Sequence, residues 1–418
     1  MESRGTDRLE ALTGLRFAAA LGILLFHHGA PLLSGAAALL SRLVSGTLLS
    51  GTSLASGTGL LSGTDACVQW AERIRAGGHV WVGLFYVLSG FVLARAHPAP
   101  LGPAERRAFW AARVARLYPA YLLAFVLAAP FALDRWSAGG PLASAKAAAV
   151  ALAALLLVQA WIPPVARLWN APGWSTSVVL AFYAAFPFVA GRLSRLSRRG
   201  LWVALGSAWT LSLAFPVAWL WWGPGGAHSD VTWGEPTWLM ALKFHPVARA
   251  GEFLAGVALG LLVRRGVRFP RGAALAGPLA FVAAAAVLAS GAAPYVLLHN
   301  GLLVPLFAVG IVSLADGTGP LARALASPPL RALGEASFAL YALQEPLWLW
   351  ARRLAGGAQG APSPAFVVAY SVATIAIALA VSRTVEQPVR RAIRAALGGG
   401  APAGSARIPL ARGERPGA

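Results

Sequence analysis

The stretch LTGLRFAAALGILLFHHGAPLL, residues 12–33, decides how the rest of the chain is read. It is apolar enough for a membrane helix, yet it carries Arg16 and His27. At roughly 100° and 1.5 Å per residue, the two fall within about 20° of one another around the helix and about 16 Å apart along it. They share a face, whereas His28 points about 100° away. Ionisable groups inside a bilayer are costly and mark function by default. Here the pattern is a cation near the helix entry and a titratable base deep within it.

Composition agrees with a membrane reading. The chain is 57% hydrophobic and 12% charged, with a mean hydropathy of +0.64, against about 25% charged residues in soluble domains. The net charge of +20 does not indicate nucleic acid, because the arginines cluster in short loops between apolar runs, as the positive-inside rule describes. The single Cys67 excludes an internal disulfide and a thiolate metal cluster. The histidines show no ligand spacing, so no metal site is expected. Arg16 and the His27–His28 pair also interrupt the apolar stretch that a cleavable signal peptide would need.

Apolar runs lie at 12–33, 79–95, 117–133, 143–162, 174–191, 201–222, 245–264, 274–290, 293–314, 331–350 and 365–385. Arginine-rich loops at 95–116, 192–199, 264–271, 323–331 and 383–394 are expected in the cytoplasm. An even number of crossings must separate each pair, yet three runs lie between Arg116 and Arg192. One of these three is therefore re-entrant or interfacial, and the short, proline-bounded run from Tyr118 to Leu133 is the preferred one. The expected fold is an all-α integral membrane bundle of about ten transmembrane helices plus that segment, with both termini inside. The bundle takes in residues 1–397. Within it, 34–78 is expected as an external Gly/Ser-rich loop with SGT at Ser45, Ser50, Ser56 and Ser62, and 103–118 as a basic surface helix. Gly223–Trp238, with His228, Asp230 and Glu235, is a second external loop, and 398–418 a disordered tail.

Three constellations carry candidate chemistry. In PAERRAFWAARVARLY, residues 103–118, Arg106, Arg113 and Arg116 share one broad helical face. Guanidinium forks suit phosphates, of a lipid headgroup or of a nucleotide cofactor, and headgroup anchoring is the simpler reading. Ser89-Gly90 inside GHVWVGLFYVLSGFVLAR and the Gly256/Gly260 pair suit close helix packing, and Glu252 can pair with Arg249 one turn before it. Glu345, followed by Pro346, lies deep in a span and needs a partner such as His27 or an arginine; a structural ion pair would serve as well.

Taken in order, these residues resemble the membrane-bound acyltransferase 3 family. The resemblance runs from about Arg8 to Arg391. It rests on Arg-x10-His in the first span (Arg16, His27), on FYVLSG at Phe85–Gly90, and on RxxR at Arg113 and Arg116 before Tyr118-Pro119. Weaker echoes are GWSTSVVLAFYAAFP at Gly173, RAGEFLAGVALG at Arg249, LGEASFALYALQEP at Leu333 and VEQPVRR at Val385. Two positions depart from the pattern: Val179 stands where the family usually carries glutamate, and Gln344 where it often has histidine.

The resemblance implies acyl transfer from acyl-coenzyme A, with acetyl-coenzyme A the first donor to test, to a hydroxyl of a carbohydrate, glycolipid or small molecule. It implies Arg113, Arg116, Arg106, Ser89 and Gly90 as cofactor-binding residues, and His27, Arg16 and Glu345 as catalytic ones. Arg16 would hold the cofactor or stabilise charge on the thioester oxygen, and an acyl-histidine relay is an alternative to direct transfer. Partners are then the cofactor, the acceptor and the bilayer, not nucleic acid, and the location is the inner (plasma) membrane. Two other readings stay open: a transporter using Arg16, His27 and Glu345 as a proton or anion path, and a family member that has lost catalysis.

Overall fold

Where two helices lack side chains at their crossing, their backbones can touch, and this chain uses that device at its centre. A Cβ on Gly90 would run into the carbonyl of Phe253, one on Gly256 into that of Val87, and one on Gly260 into that of Phe91. The two helices concerned are the most buried of the spans. Around them Leu12, Leu15, Leu88, Phe307 and Ile311 form a contiguous buried cluster.

The computed structural model describes residues 7–49, 57–97, 100–222, 236–267, 273–317, 319–357 and 360–396. In chain order the helices are α1 (Asp7–His28), α2 (Ala30–Leu49), α3 (Gly57–Ala76), α4 (Val80–Ala96), α5 (Pro103–Asp134), α6 (Gly140–Leu155), α7 (Gly173–Leu193), α8 (Arg198–Trp222) and α9 (Thr237–Phe244). They continue with α10 (Pro246–Arg264), α11 (Ala276–Ser290), α12 (Tyr295–His299), α13 (Val304–Ala315), α14 (Pro320–Leu325), α15 (Pro328–Glu335), α16 (Ser337–Leu354), α17 (Pro364–Val381) and α18 (Gln387–Ala396). Among the described residues there is no strand, and 8 helical segments are long and apolar enough to cross a membrane. Large apolar side chains left exposed on α8, such as Trp202, Val203, Phe215 and Val217, suit contact with lipid. The protein is therefore an all-α, multi-pass membrane protein.

Several expectations change in detail. The run at 118–133 is the second half of α5, a 32-residue helix, so it crosses, and 103–118 is that helix's first half instead of a separate surface helix. The segment that fails to cross is 143–162. There α6 ends at Leu155 beside the middle of α5, where Tyr121 Oη donates to Ala154 O (2.7 Å) and Tyr118 Oη to Leu155 O (2.9 Å). The chain turns at Leu157, whose φ is +57°, and returns through short turns at Gln159–Trp161 and Pro163–Val165 before α7. Gln159 Nε2 donates to Gly173 O (3.0 Å) and Ser177 Oγ to Leu157 O (2.5 Å). Such bonds are what permit irregular backbone at membrane depth.

The run at 293–314 is broken between α12 and α13, with Gly301 at φ +88°. The run at 274–290 is the shorter helix α11, and 331–350 is divided between α15 and α16. Most of the expected loop at 34–78 is the pair of packed helices α2 and α3. Ser50 and Ser56 of the SGT repeats, the loop residues 223–235 and the tail from 397 lie outside the described residues.

The arginine-bearing segments gather at one end of the bundle. Arg264 Nη1 donates to His97 O (2.7 Å), Arg265 Nη2 to Ser194 O (2.6 Å), and Arg331 pairs with Glu10 (2.8 Å). At the opposite end Arg75 Nη1 donates to Phe26 O (2.6 Å) and Arg73 Nη1 to Ala289 O (3.0 Å), meeting the carbonyls that end α1 and α11. Cys67 is exposed on α3, which ends at this opposite face. With the arginine-rich end in the cytoplasm, as charge bias requires, an impermeant maleimide added to intact cells, with any outer membrane permeabilised, is expected to label Cys67. Labelling only after the inner membrane is lysed would invert the orientation.

Candidate active site

Three cavities lie in series through the bundle. A vestibule of about 340 Å³ at the arginine-rich end is walled by Arg16, Arg116, Arg390, Arg391, Glu335 and Thr13. Arg16, Arg116 and Arg390 also line an inner chamber of about 280 Å³, together with Arg113, Ser89 and Val179. An outer chamber of about 400 Å³ holds His27, His28, Glu345, Arg167, His79 and His299. Val82 and Tyr341 belong to the walls of both the inner and the outer chamber.

The inner chamber is lined by both guanidinium groups and apolar side chains. Arg113 is held over the rings of Phe109 (5.5 Å) and Tyr183 (5.9 Å), while α18 brings Arg390 against α5. Carboxylates are few here: Glu335 lies in the vestibule wall and Glu386 beside Arg116 and Arg390. Guanidinium groups crowded in this way favour an anion with several phosphate oxygens. Its apolar walls include Phe85, Leu93, Leu117 and Phe338.

Tyr341 stands at the boundary. Its hydroxyl is 2.6 Å from Ser175 Oγ, in the inner chamber's wall, and donates to Pro172 O (2.9 Å), in the outer chamber's wall. One turn on, Gln344 is fully buried; its Nε2 donates to Tyr341 O (3.2 Å) and its backbone carbonyl accepts from Tyr370 Oη (2.5 Å). The Gln344 side chain also faces His27.

In the outer chamber His27 is exposed to the cavity; it sits in the last turn of α1 and not deep within the helix, as the longer apolar run suggested. His28 is buried, stacked on Trp348 with ring centroids 4.3 Å apart, and its Nε2 is 3.6 Å from Glu345. Glu345 thus faces His28 and Arg167: the arginine the sequence allowed for is there, while the histidine is His28 and not His27.

Helical phase described α1 incompletely. Arg16 and His27 share a face but open into different chambers, and His28, set aside on phase, lines the same chamber as His27. The last turn of α1 ends at the chamber itself, so neighbouring positions both reach it. Arg113, Arg116 and Ser89 line the inner chamber, whereas Arg106 lies over Phe188 (5.4 Å) and Gly90 faces α10. Sequence reasoning missed Arg390, Arg167, Tyr341, His79 and His299. His79, Arg390 and Tyr341 lie within the motifs described above, but nothing local distinguishes them from their neighbours; Arg167 is in the re-entrant return.

A family model described as an acyltransferase domain, Acyl_transf_3, matches residues 9–383. The chain belongs to this acyltransferase family. Among curated proteins, this family member is similar to the acyltransferase MdmB of Streptomyces mycarofaciens, with 30% identity over 289 residues, covering 68% of this chain and 71% of that one. No solved structure matches. The protein is therefore a multi-pass membrane acyltransferase.

His97, just past the end of α4 and in the inner chamber's wall, is held at about 4, below the ordinary 6.5, by burial first and the Arg113 charge second. It stays neutral in the folded protein while the unfolded chain takes up a proton, so its share of stability is full above about pH 6.5 and is lost as pH falls toward 4. Melting in detergent is expected to drop across that window, and less steeply in His97→Asn. Equal slopes would exclude this residue as a source of acid sensitivity.

Proposed function

We propose that the protein is an integral membrane O-acyltransferase of the inner membrane, moving an acyl group, acetyl in the first instance, from acyl-coenzyme A to a hydroxyl of a carbohydrate, glycolipid or other small acceptor. The observation that carries this reading is the series of chambers: arginines at one end, an exposed imidazole at the other, and Tyr341 between them. Acyl-coenzyme A enters from the cytoplasm. Arg113, Arg116, Arg390 and Arg16 meet its phosphates, each charge-assisted bond contributing about 1.5–3 kcal/mol. The apolar wall takes the pantetheine arm, and the thioester reaches the Tyr341 boundary. That Arg16 borders the vestibule as well as the inner chamber favours a phosphate role over one at the thioester oxygen.

The acceptor occupies the outer chamber. His27 removes its hydroxyl proton as the oxygen attacks the thioester carbon; the carbon–sulfur bond breaks, and the imidazolium returns the proton to the departing thiolate. Glu345 and Arg167 face the acceptor and set the charge around it. Val179 makes the inner wall apolar where relatives usually have a carboxylate, and the mechanism uses no group at that position.

The test is release of coenzyme A and transfer of label from acetyl-coenzyme A by purified protein in detergent, over a panel of hydroxylated acceptors. His27→Ala is expected to lose about 10²- to 10⁴-fold in rate with cofactor binding unchanged. Arg113→Ala combined with Arg116→Ala should raise the cofactor KM at least severalfold. Unchanged kinetics in both, in folded protein, would remove these residues from the site, and wild-type protein that releases no coenzyme A with any acceptor would favour a transporter or a lapsed enzyme.

A further inference from the structure

The wall of the outer chamber also holds a pair of histidines that the proposed chemistry does not use. His79 is 6% exposed and His299 4% exposed, and their rings stack with centroids 5.4 Å apart and planes 13° from parallel. The hydrogen bonds behind them fix opposite tautomers. His79 Nδ1 is 3.3 Å from the carbonyl of Ala76, which can only accept, so Nδ1 carries the proton and Nε2 the lone pair. His79 Nε2 is buried with no partner among the described residues. His299 Nδ1 is 2.6 Å from Arg249 Nη1, which can only donate, so here the proton is on Nε2. Arg249 is itself held by Glu252 (2.8 Å) and Asn300 Oδ1 (3.0 Å).

A lone pair on His79 and an N–H on His299 thus belong to two stacked rings in the wall of one chamber. A hydroxyl, which donates one proton and accepts another, is the group this arrangement suits. A carboxylate would meet the His79 lone pair, and an ammonium would meet the charges of Arg249 and of Lys243, which lies over the neighbouring Tyr295 ring (4.7 Å). The histidines of the described residues do not gather as a metal site.

We infer that His79 and His299 form a hydroxyl-binding subsite that holds a second hydroxyl of the acceptor while the first is presented to His27, so that the acceptor is a diol or polyol and not a simple alcohol. This rests on the reading of the outer chamber as the acceptor site. Neither residue touches the reacting atoms; both position the acceptor.

Binding is measured first, without acyl-coenzyme A, by detergent melting of the full chain titrated with cyclohexanol and with the 1,2-, 1,3- and 1,4-cyclohexanediols. At least one diol is expected to bind about tenfold more tightly than cyclohexanol, the effect of about one added hydrogen bond. In His79→Phe, which keeps a stacked ring, that preference should fall to about twofold or less, and His79→Gln, which restores an acceptor, should recover part of it. Wild-type protein with no diol preference overturns the inference even if the variants fail to fold, and so does a preference that survives in His79→Phe. Transfer from labelled acetyl-coenzyme A is followed in parallel. Diol binding that depends on His79 without any transfer would uphold the subsite while counting against the proposed transfer from acetyl-coenzyme A to these hydroxyls.

Discussion

A guanidinium, a carboxylate and the loose ends of a broken helix have to satisfy one another in the middle of this bundle. Arg249, fully buried on α10, meets the carbonyl of His299 at the end of α12, and Glu252 accepts from the backbone N–H of Gly301 on the way to α13. Each part needs the others: the ion pair would be costly without hydrogen bonds, and the broken backbone would be costly without the ion pair. Breaking such a buried pair from one side costs about 3–5 kcal/mol. The clamp allows the chain to leave helical geometry where His299 enters the outer chamber. The re-entrant stretch after α6 follows the same rule, with Tyr118, Tyr121, Gln159 and Ser177 bonded to backbone or to one another and Arg167 delivered to that chamber. Irregular backbone occurs where the cavities are.

Around this frame the charges divide. Guanidinium groups from α1, α5 and α18 surround the vestibule and inner chamber, while imidazoles from α1, α12 and the turn before α4 surround the outer one. Tyr341 and Val82 form the boundary. In the proposed function a phosphate-bearing donor and a hydroxylated acceptor approach from opposite ends and meet at the boundary that Tyr341 and Val82 form.

Much of this could be read from the sequence. The membrane class follows from apolar runs, and the gathering of arginines at one end follows from their position in loops. The parity of crossings required that one run between Arg116 and Arg192 fail to cross, and one does. The wrong one was preferred, because prolines at 119 and 130 looked like helix boundaries and are tolerated within α5, whereas the tyrosines that accommodate the end of α6 act from another helix. His27, Arg16, Arg113 and Arg116 were legible because each carries charge or a titratable ring where apolar residues are the rule. His79, His299 and Tyr341 were not, since a single polar group in a span reads as packing until a neighbouring helix shows what it faces. Helical phase set His28 apart from His27, but phase describes a helix and not the chamber into which its last turn opens.

The central claim is that the donor lies among the arginines with its thioester at the Tyr341 boundary. Its most direct test is an electron cryomicroscopy structure of the purified protein with a non-transferable thioether analogue of acetyl-coenzyme A. Density for the phosphates between Arg16, Arg113, Arg116 and Arg390, with the sulfur position approaching Tyr341, is the predicted result. Density for the analogue in the outer chamber, or protein that binds none of it at saturating concentration, would contradict the account.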